Sequence, residues 1–184
     1  MDKLTKNLLI CANFVFWTFL ICLFLILSGH AMPFVHCFAV DGADRIYVGT
    51  DGDICVYTDG DLVHKIDPKT SRGYRFTINQ NDEIVLSTAS KAYIMDLRGN
   101  VLQSQEDPGA QLYNQIQYGK RTFVTAKGDE YRLVSEFGWT RIMKNGVEVV
   151  YRISPLSFAV KVFLALAVGV LITFIVWAAR QKQK

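Results

Sequence analysis

Two long uncharged runs constrain this chain of 184 residues more than any other feature. Residues 7–40 and residues 162–179 contain no Asp, Glu, Lys or Arg. A helix that crosses about 30 Å of hydrocarbon needs about 20 predominantly apolar residues, and both runs supply them. We therefore predict transmembrane helices at 8–29 and 156–179, with a central domain at 30–155. This organisation excludes a simple soluble globule and a disordered chain.

The first run has a second interpretation as a cleaved signal peptide. Lys3 and Lys6 precede it, and residues 29–31 read Gly-His-Ala, which resembles the small-residue pattern of a cleavage site. The apolar stretch at 8–28 has 21 residues, whereas the apolar part of a signal peptide has about 7 to 15. We therefore favour a retained signal anchor, with cleavage as the alternative.

Basic residues at both ends of the chain predict its orientation in the membrane. Lys and Arg beside a span remain on the cytoplasmic side, and both outer flanks contain them: Lys3, Lys6, Arg180, Lys182 and Lys184. We predict that residues 1–7 and 180–184 are cytoplasmic and that the central domain is extracytoplasmic. Residues 30–155 contain 14 basic and 16 acidic side chains, a net charge of −2, against +3 for the whole chain. The basic total therefore reflects membrane topology, and we predict no nucleic-acid partner.

The central domain contains an internal repeat, which begins near Phe38, Phe76 and Gln115. Turn glycines recur at two exact intervals of 39 residues: Gly60, Gly99 and Gly138. The first apolar residues of the second strands recur at intervals of 38 and 39 residues: Ile46, Ile84 and Phe123. Within each repeat, turn sequences such as Asp-Gly separate β-branched and aromatic runs, which is typical of an antiparallel meander.

The repeat predicts an all-β domain of three four-stranded antiparallel blades, at about 37–67, 74–107 and 111–146. The third blade is predicted to begin with a strand at 112–118 and to be followed by an extra strand at 147–153. Four short antiparallel strands in about 40 residues are typical of a β-propeller blade.

Three strand–turn–strand sequences resemble known repeats: YTDGDLV, MDLRGNVL and SEFGWTRI. They are similar to the repeats of quinoprotein-like and NHL-like β-propellers, and the resemblance implies a partial propeller without implying an activity. A closed propeller has about four to eight blades, so three blades leave apolar faces and strand edges uncovered. We expect association to close the array, as a six-bladed ring of two chains or within a partner's array. An open stack whose ends are covered by 32–38 and 147–153 is the alternative.

The sequence contains no G-x-S-x-G, no Gly-rich phosphate loop and no H-E-x-x-H. We therefore predict neither an enzyme nor a cofactor. Four aspartates crowd two successive turns and are candidate calcium ligands: Asp51, Asp53, Asp59 and Asp61. Their spacing departs from the EF-hand pattern, and Asp-Gly is what such turns require mechanically, so we favour a structural role.

Two residue pairs are candidates for structural contacts. Cys37 and Cys55 lie on the first and third predicted strands of one meander, normally too far apart for a disulfide unless Cys37 precedes its strand. Ala165 and Gly169 form a small-xxx-small pair that would let two helices approach closely. A lipid-facing position for this pair is the alternative.

These observations predict a membrane-anchored, extracytoplasmic binding or scaffold protein, or an accessory subunit. We expect it to assemble with itself or with a membrane complex through its propeller-like blades. A ligand sensor and a subunit of a transport or secretion complex are the alternatives.

Overall fold

The computed structural model describes residues 3–70, 73–88, 90–106, 116 and 121–181. The chain divides into two compact units, one formed by Met1–Pro33 with Ser154–Lys184 and the other by Phe34–Ile153. The first unit contains two helices, α1 (Lys3–Leu27) and α2 (Pro155–Gln181). The second unit contains twelve described strands in three sheets.

The helical unit has well-defined helix ends. After α1, Gly29 has a φ of 70°, and the backbone N–H groups of His30 and Ala31 both donate to the carbonyl of Leu25. At the start of α2, the Ser154 hydroxyl accepts a 3.1 Å hydrogen bond from the backbone N–H of Ser157, as an N-cap residue does. The first set of contacts ends α1 at Leu27, and the Ser154 cap begins α2 at Pro155.

The two helices pack against each other near these caps. Cys22, Ala31 and Val160 form a small buried cluster, and the Met32 N–H donates a 2.8 Å hydrogen bond to the Ser157 hydroxyl. Ala165 and Gly169 are exposed, and a Cβ at Gly169 would meet nothing within 4 Å. The contact within this chain therefore does not use the predicted small-residue pair.

Two helical segments are long and apolar enough to cross a membrane, Ile10–Leu27 and Pro155–Thr173. This assignment rests on length and composition alone. It agrees with the two terminal apolar helices that the sequence predicts.

The second unit is built from three four-stranded antiparallel sheets, which confirms the predicted number and type of sheets. The first sheet contains β1 (Cys37–Val40), β2 (Ile46–Gly49), β3 (Ile54–Thr58) and β4 (Asp61–Ile66). The second contains β5 (Tyr74–Ile78), β6 (Ile84–Thr88), β7 (Lys91–Met95) and β8 (Val101–Glu106). The third contains β9 (Thr122–Val124), β10 (Glu130–Glu136), β11 (Trp139–Lys144) and β12 (Glu148–Arg152).

The first sheet lies between the other two, so its strands β1 and β2 are buried on both faces. One face packs Tyr47 and Val56 against Phe76 and Leu86 of the second sheet. The opposite face packs other residues against the third sheet, with Val48 and Phe38 next to Tyr131, Ile142 and Tyr151. Phe123 of β9 packs against both clusters. This double burial explains the nearly continuous apolar sequences CFAV and IYVG, since neither face needs polar residues.

The third sheet differs from the predicted third blade. Its order is β12-β11-β10-β9, so the predicted extra strand at 147–153 contains the fourth strand of this sheet. The predicted first strand at 112–118 lies, apart from Ile116, outside the described residues. Among the described strands, β9 is therefore the first of this sheet and β12 the fourth.

This shift changes which glycines are equivalent. Gly60 and Gly99 lie in the turns between the third and fourth strands of their sheets, whereas Gly138 lies between the second and third strands of its sheet. The φ angles of the three are 88°, 88° and 86°. Gly146, with a φ of 71°, occupies the position in the third sheet that matches Gly60 and Gly99. Counted over the strands that the structure describes, the second exact interval of 39 residues therefore joins turns at different positions in their sheets.

The first turns of the sheets show the repeat more faithfully. The carboxylate of Asp41 accepts hydrogen bonds from the N–H groups of Ala43 and Arg45, and the Asn79 side chain accepts the same pair from Asn81 and Glu83. In the third sheet, the Thr125 hydroxyl accepts one from Asp129 N–H. In all three sheets, a side-chain oxygen therefore accepts backbone hydrogen bonds within the turn that connects the first and second described strands.

Candidate binding surface on the third sheet

The face of the third sheet that points away from the first sheet forms the candidate site. Because side chains alternate along a strand, the burial of Tyr131 and Ile142 places Trp139 and Arg141 on the opposite face. A depression of about 270 Å³ lies at one end of this face. Its lining residues are Glu136, Phe137, Trp139, Arg141 and Arg152. We call this feature the third-sheet depression.

An unusual turn forms one wall of the depression. Phe137 and Gly138 connect β10 to β11 as a two-residue hairpin turn with φ angles of 48° and 86°. The turn between β3 and β4 has almost the same geometry, with φ angles of 52° for Asp59 and 88° for Gly60. Asp and Asn tolerate this left-handed conformation, whereas a bulky side chain rarely adopts it. Phe137 therefore occupies a position that favours a small polar residue.

The Phe137 side chain is also 99% exposed. The backbone conformation is unfavourable for phenylalanine, and its ring gains no burial in return within the chain. A strained residue whose cost has no local compensation is a candidate for function.

Two arginines lie directly opposite each other on the same face of the sheet. Arg141 of β11 is in register with Arg152 of β12, and residues opposite each other in an antiparallel pair have Cβ atoms about 4.5–5.5 Å apart. The guanidinium of Arg141 forms a 2.7 Å ion pair with the Glu136 carboxylate. Within the part of the chain that the structure describes, Arg152 has no carboxylate partner. Like charges in register destabilise a sheet, so an added anionic group would be stabilised here.

The third-sheet depression therefore combines an exposed aromatic ring, a half-buried Trp139 and a partly uncompensated positive charge. Trp, other aromatic residues and Arg are the types most enriched at the centres of protein interfaces. An Arg guanidinium binds a carboxylate with two parallel hydrogen bonds. The surface is suited to a segment that has both acidic and apolar side chains.

The aspartates considered as calcium ligands are not brought together. Asp51 accepts a 2.6 Å contact from His36 Nε2, and Asp53 lies 3.8 Å from the Lys65 ammonium group. Among the described residues, no three His, Cys, Asp or Glu side chains are grouped so that they could hold a metal ion. Asp59 and Asp61 lie in and beside the β3–β4 turn.

Cys37 and Cys55 form no disulfide, and they lie on opposite faces of the first sheet. Cys37 packs in the cluster that faces the second sheet, as do Ile54 and Val56. Because side chains alternate along a strand, Cys55, which lies between those two residues, is on the other face. The disulfide considered from the sequence is therefore not formed. Burial raises the pKa of each thiol to about 11.

A charged network connects the first turn of the first sheet to the third sheet. Asp44 lies 3.3 Å from the Lys127 ammonium group and accepts a 3.3 Å hydrogen bond from the Tyr131 hydroxyl. The Asn145 side chain donates a 2.8 Å hydrogen bond to Asp129, and this bond, together with the Lys144 ammonium group at 3.1 Å, lowers the pKa of the Asp129 carboxyl. These contacts connect the two sheets on the side of the third sheet that lies opposite the depression.

Comparisons with known proteins identify no relative that assigns a function. No protein-family model matches the chain, and no curated protein matches it. Among solved structures, it is similar to a protein of unknown function from Bacteroides caccae, with a TM-score of 0.33 and 13% identity. The similarity covers 65% of this chain and 45% of that protein, so this chain spans less than half of that protein's length. At this TM-score the similarity carries no argument.

Sequence reasoning did not find this site. The Arg141–Arg152 pair requires β12 to be the neighbour of β11, whereas residues 147–153 were interpreted as an extra strand outside the blades. One sequence signal was present: Phe-Gly stands at 137–138, where the two-residue turn between β3 and β4 has Asp-Gly at 59–60 and the three-residue turn between β11 and β12 begins with Asn-Gly at 145–146.

Proposed function

We propose that this protein is a membrane-anchored, extracytoplasmic scaffold that assembles with other chains through the outer face of its third sheet. The observation that carries the proposal is the fully exposed Phe137 beside the registered arginines Arg141 and Arg152. An aromatic ring on a strained turn and two like charges in register are both unfavourable in the isolated chain. Both become favourable when a partner covers them.

Two apolar helices support the anchoring part of the proposal. The lysines and arginines outside those helices support cytoplasmic ends and an extracytoplasmic sheet unit. Three sheets, with the first in the middle, leave one face of each outer sheet for contacts with other chains. Completion of a propeller-like ring by association remains part of this proposal.

Sidedness is tested by cysteine labelling of intact cells. Asp67 is exposed, so an Asp67→Cys chain should react with a membrane-impermeant maleimide, while the buried Cys37 and Cys55 give little background. A Lys184→Cys chain is the matched control and should react only after the cells are permeabilised. Protection of Asp67→Cys until lysis would contradict an extracytoplasmic sheet unit.

Assembly is tested with a photocrosslinking amino acid at position 137 in native membranes. The control is the same amino acid at Arg98, which is exposed on the second sheet. We expect position 137 to form a discrete adduct at a much higher yield than position 98. Equal yields at both positions, together with a single-chain mass in mild detergent, would contradict the proposal.

A further inference from the structure

The third-sheet depression lacks a partner for its charge and for its aromatic ring. Arg152 has no carboxylate partner in the described residues. Arg141 pairs with one carboxylate, that of Glu136, whose side chain is 60% exposed. The Phe137 ring projects fully into solvent. The missing component is a short segment with carboxylates and an apolar side chain.

The same chain presents such a segment at the β3–β4 hairpin of the first sheet, residues 58–63. Asp59 and Asp61 are exposed, and neither forms an ion pair with a described residue. The two following residues, Leu62 and Val63, are 48% and 58% exposed although they are apolar. We call this segment the acidic hairpin.

The acidic hairpin differs from the other acidic turns of the chain. Asp51 already contacts the His36 ring, Asp53 already lies beside the Lys65 ammonium group, and Asp41 is buried and hydrogen bonded to Arg45 and Tyr47. Within the described residues, the acidic hairpin combines two unpaired carboxylates with exposed apolar side chains. Its chemistry complements that of the third-sheet depression in both charge and apolar surface.

We infer that the acidic hairpin of one copy of the chain docks into the third-sheet depression of a second copy. The carboxylates of Asp59 and Asp61 pair with Arg141 and Arg152, and the exposed apolar side chains of the hairpin contact Phe137. In a twofold dimer this contact is made twice, once by each hairpin. The inference rests on the proposed assembly function and identifies the partner as a second copy.

A second copy explains the features better than an anionic membrane surface does. The sheet unit has a net charge of −2, with Glu136 inside the depression, and an extended anionic surface would be repelled by both. A short acidic hairpin meets the two arginines without approaching the other acidic residues. Docking of this surface on anionic lipid would overturn the inference.

The test is a charge reversal on each side of the contact, with the full-length protein in mild detergent and the mass measured over a dilution series. We expect the wild-type chain to dimerise and the R141E/R152E and D59R/D61R chains to dissociate at least tenfold more readily. Mixing the two variants should restore dimers, because each depression then faces a hairpin of opposite charge. Restoration also shows that both variants are folded.

Two matched controls keep the result specific. Arg132 is exposed on the third sheet outside the depression, and Asp67 is exposed just after β4. R132E and D67R chains should dimerise like the wild type. The inference is overturned if the wild type is monomeric, if the reversed variants still dimerise, or if mixing fails to restore the dimer.

The outcomes separate this inference from the broader proposal. If position 137 crosslinks to a different protein and D59R/D61R leaves that adduct unchanged, the assembly function stands and the second-copy partner is wrong. If the 137 adduct appears only with anionic lipid, or not at all, both are wrong. If the adduct has the mass of two copies and R141E/R152E abolishes it, both are supported.

Discussion

Gly60 and Gly99 allow the packing between the first and second sheets to be measured separately from backbone strain. Both glycines have a φ of 88° and lie between the third and fourth strands of their sheets, so alanine at either position meets the same left-handed penalty. A Cβ at Gly60 meets no atom within 4 Å, whereas a Cβ at Gly99 would lie 2.5 Å from Cγ2 of Ile66. Ile66 is a buried member of the cluster between the two sheets.

The expected magnitudes follow from these two terms. A left-handed alanine costs about 1–2 kcal/mol, so Gly60→Ala should lower the free energy of unfolding by about that amount. Gly99→Ala adds overpacking of the core, which costs about 1–3 kcal/mol more. For a domain of this size, about 1 kcal/mol corresponds to a fall in Tm of about 4 °C. Gly99→Ala should therefore melt well below Gly60→Ala.

The assay is thermal unfolding followed by circular dichroism of the strands, in detergent and at a dilution where the protein is monomeric. A double-mutant cycle with Ile66→Ala isolates the contact, because removing the isoleucine makes room for the new methyl group. Gly99→Ala should cost at least about 1 kcal/mol less in the Ile66→Ala background than in the wild type. Equal costs for Gly60→Ala and Gly99→Ala, or no coupling to Ile66, would refute the packing of the second sheet against the first as described.

Three further predictions concern single positions. Phe137→Asn should raise the stability of the monomer by about 1 kcal/mol, because asparagine tolerates the left-handed turn; a lower Tm than wild type would contradict the strain described at this turn. His64→Leu should also stabilise by about 1 kcal/mol, because the buried His64 Nε2 has no hydrogen-bond partner among the described residues; urea unfolding measures this, and a loss of stability would show that the nitrogen is satisfied. Burial raises the pKa of the Cys55 thiol from 9.0 to about 11, so the unfolded chain ionises first and stability should fall as the pH rises from 9 to 11. A Cys55→Ala chain should lose stability less steeply over this interval, and identical slopes in urea unfolding would exclude the thiol as a cause.

The first two sheets were accessible from sequence because each strand is bounded by a turn with a clear chemical signature. β1 to β4 lie within the blade predicted at about 37–67, and β5 to β8 lie within the blade predicted at about 74–107. Turn residues mark these boundaries, and several of them carry the positive φ angles that tight turns need: Asp44, Asp59 and Gly60 in the first sheet, and Asp82 and Gly99 in the second. Strand boundaries are local properties, and local residue patterns determine them.

The third sheet was less accessible because its assignment depends on which strands pair. An equal spacing of glycines suggested that Gly138 matches Gly99, whereas the structure matches Gly146 with Gly99. The order of the stack was also invisible, since nothing in the sequence of Val48 or Phe38 indicates that the partner is the third sheet. Contacts between distant strands are not encoded in any short pattern.

The candidate site depends on both of these long-range choices. Arg141 and Arg152 become neighbours only when β12 pairs with β11, across a bulge between Ile142 and Met143. The bulge changes which residues of β12 face the depression, so even a correct strand assignment would have left the register open. Phe137 was the sole member of the site with a local signal, as a phenylalanine before glycine in a tight turn.

The central position of the first sheet also bears on how this chain is made and how it could have evolved. The segment that leaves the ribosome first among the strands is the one on which both later sheets dock. Each later sheet therefore docks on a segment that has already been synthesised, and Phe123 of the third sheet also packs against the cluster that contains the second sheet. Phe137 and Arg141 on the outer face of the third sheet belong to neither cluster, so that face can change during evolution while the packing of both clusters is kept.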